Sequence, residues 1–381
     1  MIPRTVFEPE HDLFRESVRR FLETEAVPYH DQWEEDGQVD RDLWRKAGAQ
    51  GFLSPTVSEE YGGVGADYRY NAIVNEEVSR LGLNGIGWTL HSDIAVPYIE
   101  HYGSPETKQK YLPGCVSGDV VTAIAMTEPG TGSDLQSIKT TAVADGDHYI
   151  INGSKTFITN GQHADLVVVV AKTDPDAGAF GVSLILVETD SPGFEKGKNL
   201  KKLGMKAQDT SELFFNDVRV PKQNLLGKEG EGFIYLMQEL PQERLSIGVI
   251  ATAAAESMIE QTIDYVKDRN AFGKPVAAFQ NTQFKLAELS TETAAARCFL
   301  DRCLELHLDK KLDTTGASQI KLLTSELQNK VADECLQLHG GYGYMWEYPI
   351  ARAFADSRVQ RIYGGTSEIM KLIIARDLLA D

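Results

Sequence analysis

Apolar residues recur along the first third of this chain at the spacing of a helix face. Leu13, Phe14, Val18, Phe21 and Leu22 form one stripe between Glu10 and Ala26, and Pro28 stops it. Similar stripes predict helices from Asp40 to about Ala49, Asp67 to Leu81, Ile86 to His101 and Pro105 to Val116. Gly62-Gly63 and Gly65 mark a loop, and Trp33, Trp44 and Trp88 read as core.

The pattern changes near Asp119. Val120–Met126, Lys139–Ala144 and His148–Ile151 read as strands, the last two joined by Asp145-Gly146-Asp147, a hairpin signal. Asp165–Val170 and Val182–Val187 are buried strands by composition, and Glu212–Val220 alternates up to Pro221. No strand alternates with a helix, so antiparallel pairing is expected rather than a doubly wound sheet. From Gly227 helices return, over about 230–240, 242–269, 278–309, 316–338, 348–357 and 367–380. Pro241 interrupts the first pair, because a proline breaks or kinks a helix and suits the first turn of a new one. The expected fold is α+β: a helical domain over 1–118, an antiparallel β domain over 119–226 and a helical bundle over 227–381.

Charge narrows the partners. A formal net charge of −18 opposes binding to nucleic acid or to an anionic membrane. A basic cluster, Lys196, Lys198, Lys201, Lys202 and Lys206, reads as a solvated loop, with an anion contact as the functional alternative. No run approaches a membrane span, and the first residues carry no apolar signal core. The cysteines at 115, 298, 303 and 335 match no zinc spacing. Reduced core thiols of a cytoplasmic protein without a metal are expected.

Five glycine- and aromatic-rich segments could carry chemistry. Thr127-Glu128-Pro129-Gly130-Thr131-Gly132-Ser133-Asp134 is either a surface turn or a loop offering N–H groups to a flat heterocycle or a phosphate. It is neither a P-loop nor a dinucleotide fingerprint. In Gly153–Gly161, Phe157-Ile158-Thr159 could stack on a ring and bond its edge, or form a β-edge turn. Arg269 ends a helix before Phe279-Gln280, and suits either a diphosphate or the helix C-terminus. Gln337-Leu338-His339-Gly340-Gly341-Tyr342-Gly343 is a glycine C-cap that would also let a ligand approach the backbone. Arg361-Ile362-Tyr363-Gly364-Gly365-Thr366-Ser367-Glu368-Ile369 is a turn feeding a helix, with Thr366 or Ser367 as N-cap.

In order and type, these segments resemble the acyl-CoA dehydrogenase family along nearly the whole chain. The resemblance implies a helical, a β and a four-helix domain, a homotetramer, and non-covalent FAD. By motif, Ile124, Met126, Thr127, Gly132, Ser133, Phe157, Ile158 and Thr159 would hold the flavin ring. Arg269, Phe279, Gln280, Gln337, His339, Gly340 and Gly341 would hold the adenine-diphosphate part, from a neighbouring subunit in part. Thr366 and Glu368 would also touch FAD. Ser133, Pro241, Arg244, Gly364 and Gly365 would meet the acyl-CoA substrate.

The family reaction needs a base for the α-proton of a thioester. Many members carry a glutamate after the tyrosine of the last turn, where this chain has Gly364. Leu240-Pro241-Gln242-Glu243-Arg244 resembles the members, long-chain and isovaleryl types among them, whose glutamate sits at the start of a C-terminal-domain helix. Glu243 is then the expected base, in a first turn whose N-terminus favours the ionised form while burial opposes it. Gly364 keeps an N–H for the thioester carbonyl. The wider match favours the long-chain type, with trans-2-enoyl-CoA as product and an electron-transferring flavoprotein as acceptor. Branched, short or medium acyl chains stay open, as do an acyl-CoA oxidase and a helical scaffold without activity.

Overall fold

The computed structural model describes residues 2–380. Its first part comprises α1 (Pro9–Glu25), α2 (His30–Asp36), α3 (Arg41–Ala49), α4 (Tyr68–Arg80), α5 (Val96–Tyr102) and α6 (Pro105–Ser117). Short polar side chains start three of these. Asp40, Asp67 and Ser104 each accept a first-turn amide. The apolar stripes meet in a core around Leu22, Trp33, Trp44, Phe52 and Trp88.

The helix expected over Ile86–His101 is less regular than its pattern suggests. A π-helical stretch, Leu90–Ala95, runs into α5. Pro97 has no N–H for the Asp93 carbonyl, and the Gln242 side-chain amide donates there instead at 2.8 Å. That bond ties the π-helical stretch ahead of α5 to the C-terminal part, beside the residue expected to be the base.

The sheet has eight strands: β1 (Thr122–Ala125), β2 (Thr141–Asp145), β3 (His148–Thr159), β4 (Leu166–Lys172), β5 (Val182–Glu188), β6 (Phe194–Asn199), β7 (Thr210–Pro221) and β8 (Leu225–Leu226). Their order is β6-β7-β3-β2-β4-β5-β8, with β1 beside β4. The expectation of purely antiparallel pairing needs correction, since β1 runs parallel to β4, from Thr122↔Leu166 to Ala125↔Val169, and β2 meets β4 in one parallel pair. Both strands of the first pair are buried along the whole pairing and, apart from Thr122, apolar, as a parallel pair covered on both faces is.

β6 is the second correction. Two of the lysines read as a solvated loop, Lys196 and Lys198, lie on this strand. Lys196 donates to the carbonyls of Gln162 and Ala164 at 2.8 and 2.7 Å, and Lys202 to that of Gln208. Lys206 sits 3.4 Å from the centre of the Trp346 ring. Three of the five lysines therefore brace the fold.

The last part holds α7 (Gly232–Asp268), a small hairpin of β9 (Asn270–Ala271) and β10 (Lys274–Pro275), α8 (Gln280–Leu308), α9 (Thr314–His339), α10 (Pro349–Ser357) and α11 (Ser367–Leu378). Pro241 does not divide α7, which runs unbroken for 37 residues. Leu236, Glu239, Glu243, Arg244 and Leu245 are buried on both sides of the proline, so packing outweighs the lost backbone bond. Glu243 consequently lies inside a helix and not in a first turn.

Candidate active site

Glu243 projects from α7 towards α5 and is 5 % exposed. Tyr98, wholly buried on α5, donates its hydroxyl to Glu243 Oε1 at 2.8 Å. Burial pushes the Glu243 carboxyl up to about 7. The Tyr98 hydrogen bond opposes that shift, the Glu239 charge adds to it and Arg244 opposes it. No helix N-terminus takes part, so desolvation sets this carboxyl's proton affinity.

The last glycine turn closes on the same place. Gly364 has φ +62°, and a Cβ there would stand 2.3 Å from Cδ1 of Ile247, one turn beyond Glu243 on α7. Gly365 has φ +95°, and its Cβ would meet the Met370 methyl at 2.5 Å. Only glycine fits both positions without strain. Among the described residues, nothing accepts from the backbone amides of Gly364 and Gly365, so both remain available to a ligand. Lys321, buried on α9, donates to the Gly365 carbonyl at 2.6 Å and fixes the turn from behind. Burial, with Arg244 nearby, takes its ammonium down to about 8. Arg244 is buried too, with Ser318 Oγ at 3.3 Å and no partner for its Nε. Thr366 caps α11 as expected, accepting from the Ile369 amide at 3.3 Å. Glu368 is exposed, and its own amide and Thr366 hold its carboxyl below the ordinary range. A carboxylate so stabilised is a poor base beside Glu243.

The 127–134 loop is pinned from below. Lys155 on β3 is fully buried and reaches Glu128 at 2.9 Å and the Met126 carbonyl at 3.0 Å. Glu128 also accepts the amides of Lys139 and Thr140, at 2.6 and 2.9 Å. The tip is open, because a Cβ at Gly130 or Gly132 would meet nothing within 4 Å, and Ser133 is exposed. Ile124 and Ile158 are buried, while Met126, Thr127 and Thr159 are half-buried. Phe157 lies at a β-bulge with φ +60° and 67 % of its surface exposed. An apolar ring held out by a strained backbone suits a flat heterocycle.

A second site lies at the far end of α7. Tyr265, Arg269, Gln337, His339 and the Gly340-Gly341 pair line an open groove of about 490 Å³. Both glycines have open space where a Cβ would be, and no carboxylate among the described residues pairs with Arg269. Tyr265 and His339 stack at 4.1 Å. Phe279 and Gln280 do not line this groove; the Phe279 amide donates to the carbonyl of Val276, which does, at 3.2 Å. A guanidinium without a carboxylate partner, over the Tyr342 ring at 5.4 Å and beside open glycine backbone, fits a diphosphate and a purine.

Three family models cover the chain: the acyl-CoA dehydrogenase N-terminal domain over 8–119, the middle domain over 123–218 and the C-terminal domain over 230–379. The chain belongs to the acyl-CoA dehydrogenase family. It is thus an oxidoreductase acting on CH–CH groups, in a family of FAD enzymes. The long-chain specific acyl-CoA dehydrogenase of Rattus norvegicus mitochondria is 55 % identical over 380 residues, covering 99 % of this chain and 88 % of the relative. An acyl-CoA dehydrogenase structure from Geobacillus kaustophilus is 54 % identical with a TM-score of 0.97, covering 99 % of this chain and all of the other. A Mycobacterium smegmatis glutaryl-CoA dehydrogenase in complex with FADH2 is 30 % identical with a TM-score of 0.92, over 99 % and 96 % of the two chains. Among the described residues no helix is long and apolar enough to cross a membrane, and all four cysteines are free. The expectation of core thiols needs correction at one position, since Cys115, Cys303 and Cys335 are buried but Cys298 is exposed.

Sequence reasoning missed Tyr98, Lys321 and the Lys155–Glu128 pair. Tyr98 stands among apolar neighbours and gives no sign of a polar partner. Lys321 carried a weak signal, since it interrupts the apolar run Ile320–Leu323, while Lys155 stands among polar neighbours and carried none.

Proposed function

We propose that this protein converts a long-chain acyl-CoA thioester to the trans-2-enoyl-CoA, with Glu243 as the base. The observation that carries the proposal is a buried carboxylate, bonded to Tyr98 and with its proton affinity raised to about 7, beside a glycine turn with free amides. Such a group is ionised often enough near neutral pH to take a proton, and basic enough to hold it. The free amides of Gly364 and Gly365 are suited to the thioester carbonyl, where charge develops as the α-proton leaves. Arg244 and Pro241 frame the base, and Ser133 stands on the open loop side. FAD, when bound, supplies the acceptor for the β-hydride. Phe157, Thr159 and the 124–133 backbone would hold its ring, and the Arg269 groove would hold its diphosphate and adenine.

One chain is too long for both tasks on a single FAD. Glu243 is 25 residues before the end of α7 at Asp268. At about 1.5 Å per residue this is roughly 37 Å, longer than an extended FAD. A neighbouring subunit bringing its own Arg269 groove removes the difficulty, which supports a homodimer or homotetramer. An electron-transferring flavoprotein is the proposed electron acceptor. Four free thiols support a reducing compartment, taken here as the cytoplasm.

Anaerobic titration with acyl-CoA thioesters of graded length and branching tests the substrate class. Bleaching of the bound flavin should be fastest with long straight chains. Fastest bleaching with a branched or short chain would replace the long-chain assignment. Reoxidation in air at the turnover rate, with peroxide formed, would mark an oxidase.

A further inference from the structure

Glu243 keeps a proton after each turnover, and its burial leaves that proton no direct route to water. The next turn of α7 carries a second buried carboxylate, Glu239. Residues four apart share one helix face, with Cβ atoms about 5–6 Å apart. α5 answers with the same spacing: Tyr98 donates to Glu243 at 2.8 Å, and Tyr102 donates to Glu239 at 2.8 Å. Tyr102 is itself stacked on Tyr235 of α7, ring centres 4.1 Å apart, so this ladder is held shut. Glu239 has one more partner. Nδ1 of His101 lies 2.8 Å from the same Glu239 oxygen, and 49 % of the His101 side chain is exposed. The row of groups therefore runs from the base to the surface without leaving the α5–α7 contact.

We propose that Glu239 and His101 carry the abstracted proton from Glu243 to bulk water; this rests on Glu243 being the base. The neutral Glu243 carboxyl gives its proton to the Glu239 carboxylate. Glu239 passes it to Nδ1 of the imidazole tautomer protonated at Nε2, the imidazolium loses its Nε2 proton to water, and proton exchange with water at the exposed edge restores the starting tautomer. One proton moves, no electrons do, and both carboxylates end ionised for the next turnover. The hydrogen bond to Glu239 raises the His101 ring above its ordinary value, against burial. Other titratable groups facing Glu239 are Tyr98, Glu100 and Tyr102 from α5, Glu243 from its own helix and His307 from α8. Burial takes His307 down to about 4, which keeps it neutral and out of the relay.

His101→Asn and Glu239→Gln in the FAD-loaded enzyme separate this step from proton abstraction. Flavin reduction in a single anaerobic turnover should stay within about threefold of the unchanged enzyme. Steady-state turnover should fall about tenfold or more, and added imidazole should restore it in His101→Asn. By infrared spectroscopy, the Glu243 carboxyl of Glu239→Gln should titrate at lower pH, because a neighbouring negative charge is gone. Unchanged turnover in both variants, or a loss that imidazole does not relieve, overturns the relay. Should Glu243→Gln reduce flavin at the original rate, the base assignment fails instead, whatever the relay variants do.

Discussion

Glu76 on α4 and Glu243 on α7 are both buried carboxylates, and their surroundings drive them in opposite directions. Burial pushes each up. At Glu76 the charges of Arg297, Arg4 and Arg15, at 2.6, 2.9 and 2.7 Å, outweigh it and hold the carboxyl down at about 2. At Glu243 a single phenol answers the burial, Arg244 helps weakly, and the carboxyl rises to about 7. Burial alone thus does not make a base; the number of opposing charges decides. Glu76 locks the N-terminal helices to α8 through Arg297, while Glu243 is left underpaired, as its proposed role as base requires.

Exchanging each glutamate for glutamine breaks the comparison most sharply. Glu243→Gln should slow flavin reduction about 10²–10⁴-fold in stopped flow, with FAD retained. Glu368→Gln, changing an exposed carboxylate, should leave the rate near its original value; the reverse pattern would move the base to 368. Glu76→Gln should leave the rate per folded molecule nearly intact but cost about 3 kcal/mol in denaturant unfolding, the low end for a buried pair, because Arg4, Arg15 and Arg297 each lose one carboxylate and keep another, Asp301, Glu77 and Glu256.

The two carboxylates should also differ in how stability follows pH. Glu76 is depressed on folding, so its contribution is present above its ordinary 4.5 and lost as pH falls towards 2. Glu243 is raised on folding, so its contribution is present below 4.5 and lost as pH rises through about 7. Melting curves at pH 8 should therefore find Glu243→Gln at least as stable as the original, and Glu76→Gln clearly less so.

How much of this was legible in the sequence differs between the two glutamates. Glu243 stood out because Gly364 occupies the common position of the family base and Pro241-Gln242-Glu243-Arg244 offers another. Glu76 carried no signal, since its partners at positions 4, 15 and 297 are distant in the chain and meet only in the fold. The same holds for Tyr98, whose partner Glu243 is 145 positions away. The helices, most strands and the glycine turns follow local periodicity and were readable. Pro241 misled because local chemistry predicts a helix break, whereas buried residues on both sides keep α7 whole. β6 was hidden by its lysines, of which Lys196 donates to the carbonyls of Gln162 and Ala164 between β3 and β4.

Smaller changes sharpen the contrast. Tyr98→Phe removes the one hydrogen bond that favours the ionised base, worth about 1.5–3 kcal/mol for a charged acceptor. Flavin reduction at pH 7 should drop about tenfold and recover at higher pH, and a loss independent of pH would argue against this role. Gly364→Ala should cost about 1–2 kcal/mol of stability, from the left-handed backbone and the contact with Ile247. Gly364→Glu meets the same strain, so placing a glutamate at the common family position in a Glu243→Gln background should restore only a small part of the rate.

The rate of flavin reduction by a long-chain acyl-CoA, followed by stopped flow from pH 5 to 9, tests the central claim most directly. With Glu243 as a base raised by burial, the rate should climb through an apparent midpoint near 7 and level off above it, and this titration should vanish in Glu243→Gln. A midpoint near the ordinary 4.5, or a midpoint near 7 that persists in Glu243→Gln, would contradict the account.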